Sequence, residues 1–380
     1  MSAPARTEDA SARPIPAPLR ASIVLALLYL FLVGISVLEG GIASLGEDVQ
    51  KGLYDSVSNP LAGLFVGILA TVLVQSSSVS TATVVGLVGS GVLSIDDAVP
   101  VIMGANIGTT VTSTLAALGH VRRPHEFRGA FAAATVHDFF NLLTVVVMLP
   151  LELATGVLSN SAEWLAERLV GQGGASFESP IKKLVERPSD AVHDLVESMV
   201  SGTLLGVVLM VLALAMIFIA LAFITKNMRA LVADRIERSV TSLLEKGGGL
   251  GGMAVGMVVT IAVQSSSITT SVLVPLAAAG VISVRNVYPV ALGANIGTTT
   301  TALLAAMAAT RPEAVAIALV HTLFNLCGTL IFFPVPFMRA IPVRMAERLA
   351  DAAVRHRTMV MVYVVISFLV IPALGVILLR

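Results

Sequence analysis

Residues 63–93 read GLFVGILATVLVQSSSVSTATVVGLVGSGVL, and residues 256–282 read GMVVTIAVQSSSITTSVLVPLAAAGVI. Each is as apolar as a membrane helix except at its centre, where Val74–Ser78 and Val263–Ser267 both spell VQSSS. The arms beside QSSS are only about 14 residues long, and at about 1.5 Å per residue they reach part-way across a bilayer. Two such arms with a polar tip form a re-entrant hairpin, which enters and leaves on one side. Irregular backbone at that depth survives only where protein or a wet cavity surrounds it.

The rest of the chain sets the same scene. Of 380 residues, 56% are hydrophobic and 13% charged, with a mean hydropathy of +0.90. A soluble domain has about 45–50% apolar and about 25% charged residues. The fold class is therefore an all-α integral membrane protein. Crossing helices are expected near 21–38, 99–118, 129–156, 198–225, 288–308, 313–337 and 358–379. Net charge is zero and no basic stripe stands out, so no nucleic-acid partner is expected, and the lipid bilayer is. The single cysteine, Cys327, excludes an internal disulfide and a cysteine metal site. Residues 1–20 are rich in Ala, Pro and charge and are expected to form a disordered tail.

Lys and Arg give the sidedness. Arg6, Arg13 and Arg20 precede the first span, and Arg122, Arg123 and Arg128 follow the second. Lys226, Arg229, Arg235, Arg238 and Lys246 follow the fourth, and Arg339, Arg344, Arg348, Arg355 and Arg357 precede the last. Seven spans place all these connections and the N-terminus in the cytoplasm, with loop 157–197 outside. In that loop SAEWLAERL is amphipathic, with Trp164 as interfacial anchor, and GQGGASFESP reads as a turn. The GGGLGG run at Gly247–Gly252 reads as a flexible lead into the second hairpin. Loops 119–128 and 338–357 suit segments lying flat on the membrane.

The hairpins belong to a larger repeat. Gln75 and Gln264 stand 189 residues apart, and GANIGTT recurs from Gly104 and Gly293 at the same offset. Roughly half the positions of 67–117 match 256–306. A third pair follows, VHDFFN at Val136–Asn141 and VHTLFN at Val320–Asn325. Three spans separate the two QSSS tips. An odd number inverts the second repeat, so the tips meet near the midplane. Inverted repeats with broken helices meeting there are the architecture of secondary transporters. The division expected is 21–156 for the first repeat, 157–197 for the extracytoplasmic loop, 198–337 for the second repeat, and 338–380 for an amphipathic segment and last span.

The motifs suit an anion. Ser and Thr cap helix starts, and a helix N-terminus presents free N–H groups and positive potential. Two opposed tips would grip a tetrahedral oxyanion with N–H groups and the hydroxyls of Ser76, Ser77, Ser78, Ser265, Ser266 and Ser267. Neither hairpin carries Lys or Arg, so Na⁺ bound nearby would supply charge. In GANIGTT, Gly104 and Gly108, or Gly293 and Gly297, are expected to let a transmembrane helix break around Asn106 or Asn295. Those asparagines would point into the site, with Thr109, Thr110, Thr298 and Thr299 offering hydroxyls. The same glycines equally match small-xxx-small helix packing. Asp138 is an acid inside a span, which is a functional residue by default. Thr322 stands at its place in the second repeat, and Asn141 and Asn325 share the helix face. His137 and His321 read as hydrogen-bonded structural residues.

The stretches QSSSVSTATVV, GANIGTTVT, ATVHDFFNLLTVVVMLPLE, QSSSITTSVLVPL, GVISVRNVYPVALGANIGTTTTALLAA and VHTLFN resemble the type II sodium-dependent phosphate cotransporters. The resemblance covers residues 60–155 and 250–335. It implies uptake of inorganic phosphate with Na⁺ as coupling ion and no other cofactor. Phosphate would lie at the QSSS tips, Gln75 included. Sodium would lie at Gln264, Ser265, Thr298 and Thr299. The resemblance further makes Asp138 the mark of electrogenic members, with three Na⁺ per divalent phosphate. Each protomer would be a complete transport unit. Animal members carry a disulfide in the outer loop, which this loop lacks, so a compact bacterial protein of the inner membrane is expected. A carrier of sulfate, arsenate or a dicarboxylate is the first alternative. A channel needs a continuous pore, which closed hairpins do not suit. There is no HExxH, no paired catalytic acids and no base for the serines, so an enzyme is not expected.

Overall fold

The computed structural model describes residues 15–170, 180–245 and 249–379, with backbone alone for 170, 180 and 232–245. All regular structure among the described residues is helical, with no strand. The first half comprises α1 (Ala17–Ala43), α2 (Glu47–Asp55), α3 (Pro60–Val74), α4 (Ser77–Gly89), α5 (Ile95–Gly108), α6 (Val111–Ala117), α7 (Pro124–Thr155), α8 (Val157–Val170) and α9 (Pro180–Glu197). The second comprises α10 (Thr203–Glu245), α11 (Gly249–Val263), α12 (Ser266–Ala278), α13 (Val284–Ala308), α14 (Pro312–Phe332), α15 (Pro336–Arg355), α16 (Thr358–Val365) and α17 (Ile371–Leu379). A π-turn at Ile366–Val370 joins α16 and α17 into one span.

Seven helices are long and apolar enough to cross a membrane, and they coincide with the seven expected spans. The two QSSS segments form helical hairpins, α3–α4 and α11–α12. Local chemistry starts and stops these elements. The Asn59 carboxamide oxygen accepts from the N–H groups of Leu61 and Ala62, capping α3. Ser94 caps α5 through the Asp97 N–H. The short helix α2 was not foreseen, and it meets α3 at 99°.

The two halves pack by one rule. Hairpin arm α3 lies along α5 as α11 lies along α13. Arm α4 contacts α14 as α12 contacts α7, and α8 lies on α14 as α15 lies on α7. Each hairpin thus rests on a helix of the other half. Helices α1 and α10 pair along their length, where a Cβ at Gly41 would meet Leu209 Cβ at 2.9 Å. Only the last span lacks a counterpart, and it packs on α3.

Several expectations need correction. The tail expected through residue 20 ends by Pro16, because Pro18 is tolerated in a first turn and α1 begins at Ala17. Residues 1–14 lie outside the described residues, as do 171–179, most of the expected GQGGASFESP turn, and Gly247–Gly248 of the glycine run. Gly249–Gly252 already belong to α11. Loop 157–197 holds α8 and α9, with Arg168 stacked 3.7 Å over the half-exposed Trp164 ring. The expected unwinding around Asn106 and Asn295 is found in neither repeat, since both asparagines lie inside helices. After Gly108 the chain passes Thr109–Thr110 before α6, whereas α13 runs unbroken through Gly293 and Gly297. The reason is packing. A Cβ on Gly104 would strike the Leu64 carbonyl, and one on Gly293 would strike the Met253 carbonyl. These glycines bring hairpin arm and spanning helix into backbone contact while remaining helical. Gly108 and Gly297 do the same against Thr71 and Thr260.

Helix α15 buries Val343, Ala346, Ala350 and Ala353 and ends in an ion pair, Asp351 with Arg128 of α7. The hydrogen bond from that guanidinium holds the Asp351 carboxyl below the usual carboxylate range.

Candidate functional site

Each hairpin turns through two residues. Gln75 adopts a left-handed backbone (φ 58°), as does Gln264 (φ 56°), and among the described residues these are the only non-glycines at positive φ. A side chain there costs on the order of 1–2 kcal/mol. The cost is held by the glutamines' own amides. Gln75 Nε2 donates to Val72 O at 2.6 Å, and Gln264 Nε2 donates to Ile261 O at 2.7 Å. Their Oε1 atoms accept from Thr112 Oγ1 (3.3 Å) and Thr301 Oγ1 (2.9 Å), residues again 189 apart. Ser76 and Ser265 then take extended backbone and cap α4 and α12, accepting from Val79 N (3.3 Å) and Ile268 N (3.4 Å).

Both tips line one cavity of about 180 Å³. Gln75, Ser76, Ser77 and Ser78 form one wall, and Gln264, Ser265, Ser266 and Ser267 form another. Helix α10 closes it with Phe218, Leu221, Ala222 and Thr225. The N–H groups of Ser77, Ser78, Ser266 and Ser267 occupy first-turn positions without intrahelical acceptors. Two helix N-termini therefore converge on a cavity whose walls carry no Lys or Arg. Such a space offers N–H and O–H donors to an anion and hydroxyl and carboxamide oxygens to a hard cation.

The other motif residues lie beside this cavity, not on its wall. Four buried asparagines form a cluster between the repeats. Asn141 Nδ2 donates to Asn106 O (2.7 Å), and Asn325 Nδ2 makes the matching bond to Asn295 O (3.1 Å). Asn295 Nδ2 also donates to Asn141 Oδ1 (2.8 Å) and Asn325 Oδ1 (3.0 Å). His321 Nε2 lies 3.4 Å from Asn106 Oδ1. His137 Nε2 is buried without a partner among the described residues, while its ring hydrogen-bonds the Asn295 side chain, as expected of a structural histidine. Asn106 and Asn295 were expected to point into the site; the Asn295 carboxamide instead serves this cluster, while the Asn106 carboxamide donates to Ile102 O and faces His321. Thr298 and Thr299 are buried, with hydroxyls donating back to Ala294 O and Ile296 O.

Asp138 faces a separate polar group. Its Oδ2 accepts from Tyr363 Oη (3.0 Å) and Thr114 Oγ1 (3.2 Å). Its Oδ1 is buried with no partner among the described residues. Asn141, three residues on along the same helix, is bound to asparagines.

The model of the Na⁺/Pi-cotransporter family matches residues 30–163 and 216–339, the segments that hold both hairpins, both GANIGTT motifs and the asparagine cluster. The chain belongs to the Na⁺/Pi-cotransporter family. Among its relatives is sodium-dependent phosphate transport protein 2A of sheep, 34% identical over 94% of this chain and 67% of its own length. The rat protein of that name matches equally, 34% over 94% of this chain and 67% of its own. Human sodium-dependent phosphate transport protein 2B is 32% identical over 93% of this chain and 64% of its own length. No solved structure gives a significant match.

In this Na⁺/Pi-cotransporter family member the structure adds residues that sequence reasoning passed over. Thr112 and Thr301 were detectable, since they obey the 189-residue offset. Thr225 and Phe218 were not, because α10 reads as an ordinary span. Tyr363 was hidden by distance, lying 225 residues from Asp138.

Proposed function

We propose that this chain imports inorganic phosphate together with Na⁺, by alternating access around the cavity between the QSSS tips. The observation that carries the reading is the convergence of two Ser-capped helix N-termini on one cavity with no basic residue. Helix ends supply only partial charges. A divalent phosphate held there needs cations, so Na⁺ and substrate favour each other's binding. Ser77, Ser78, Ser266 and Ser267 donate to phosphate, with Gln75 and Gln264 fixing the turns. Gln264, Ser265, Thr298 and Thr299 supply oxygens for Na⁺ once the carrier rearranges around it.

Asp138 holds a further cation in this reading, supported by its unpartnered buried oxygen. Asn106, Asn141 and Asn295 act from the cluster that couples the repeats. The cycle is then electrogenic, three Na⁺ per divalent phosphate. Each protomer contains a whole site and works as a complete unit. In this reading the basic connections and the N-terminus face the cytoplasm, and the membrane is the inner membrane of a bacterium.

Uptake of ³²P-phosphate by proteoliposomes of the purified chain tests this reading. It should require an inward Na⁺ gradient and rise with an inside-negative potential set by K⁺ and valinomycin. Uptake of sulfate or a dicarboxylate in preference to phosphate would overturn the substrate. Indifference to voltage would remove the third cation.

A further inference from the structure

A second cavity, of about 420 Å³, lies apart from the hairpin tips, between the start of α13 and the amphipathic helix α15. Arg285 enters it from α13, and Arg339 and Arg344 enter it from α15, against a single acid, Glu347. Arg339 is fixed in place. Its Nε donates to Phe333 O at 2.7 Å, and its guanidinium stacks 4.1 Å over the Phe333 ring. Its remaining N–H groups are left for another acceptor. Arg285 and Arg344 have no hydrogen-bond or ion-pair partner among the described residues. Two helices also begin at the rim, since Arg285 and Pro336 belong to the first turns of α13 and α15. Their positive ends add to the arginines. The floor is apolar, made by Pro289, Ala340 and Val343.

We propose that this cavity binds a phosphate group at a site separate from the QSSS cavity. Planar guanidinium groups with unused donors match phosphate oxygens. A basic rim over an apolar floor, beside a helix suited to the membrane surface, matches the headgroup and glycerol of an anionic phospholipid. Free inorganic phosphate presents the same oxygens without needing the floor. Either occupant bridges α13, which packs on hairpin arm α11, to α15, which packs on α7. Occupancy therefore ties together elements that flank the transport site.

The test uses the full chain in nanodiscs of phosphatidylcholine with phosphatidylglycerol, released for native mass spectrometry. Wild type should retain phosphatidylglycerol. R285Q/R344Q should lose it by about tenfold or more, and R285K/R344K should regain much of it. R122Q/R123Q, which removes charge elsewhere, should behave as wild type. A second arm measures equilibrium binding of ³²P-phosphate in lipid-free detergent. Loss of one phosphate equivalent in R285Q/R344Q, with another kept, assigns the cavity to free phosphate. If R285Q/R344Q binds both lipid and phosphate as wild type does, the proposal is overturned. Both substituted arginines are exposed, and the lysine variant reports on folding independently.

Discussion

At Gln75 and Gln264 one residue type performs two tasks. The backbone reverses in a left-handed conformation that disfavours side chains, and the same side chain clamps the turn by donating to the carbonyl three residues back. Glycine would relieve the strain and lose the clamp. Gln264→Gly should therefore fold yet bind Na⁺ and phosphate more weakly, read as a rise in both half-saturation concentrations for uptake. An unchanged pair of constants would show the clamp to be dispensable. In the first turns, Ser77→Ala or Ser266→Ala removes a donor that would meet an anion. Hydrogen bonds to charged groups contribute about 1.5–3 kcal/mol. Phosphate affinity should fall by roughly tenfold or more at unchanged expression. Asp138→Gly should preserve Na⁺-driven uptake and abolish its current. Tyr363→Phe removes a donor to the same carboxylate and should alter Na⁺ affinity while current persists. A current in Asp138→Gly equal to wild type would refute its role.

Among the elements, the hairpin arms owe their depth to glycine. Gly104 and Gly293 let α5 and α13 touch the backbones of α3 and α11, so each arm packs backbone to backbone on its spanning helix. Gly104→Ala should cost on the order of 1–3 kcal/mol through overpacking, visible as a lower melting temperature. Gly119→Ala, where a Cβ meets nothing within 4 Å, is the matched control and should melt as wild type. Equal melting of the two variants would mean that the contact is slack. Helix α5 stays helical through Asn106 and keeps right-handed backbone at Thr109–Thr110 before α6, and α13 is unbroken, so GANIGTT does not itself force a helix to open. The motif permits close approach, and the surrounding bundle decides whether the helix stays continuous.

Across the whole molecule, three spans lie between the hairpins, which is the parity an inverted pair requires. Cysteine labelling checks it. In a Cys327→Ser background, cysteines placed at Trp164 and at Arg229 should react with a membrane-impermeant maleimide from opposite sides. Labelling of both from one side would rule out the inversion. The sequence alone determined the spans, the hairpins and the repeat, because hydrophobic length and duplicated motifs are local or linear signals. It also led to the Ser-lined site, since capping chemistry is legible residue by residue. Only the tertiary structure decided that Asn106 and Asn295 bond to other asparagines, that α10 contributes Thr225 to the cavity, and that Tyr363 meets Asp138. Those contacts join residues far apart in the chain. A motif fixes which groups a helix can offer, and packing between helices fixes which partner each group finds.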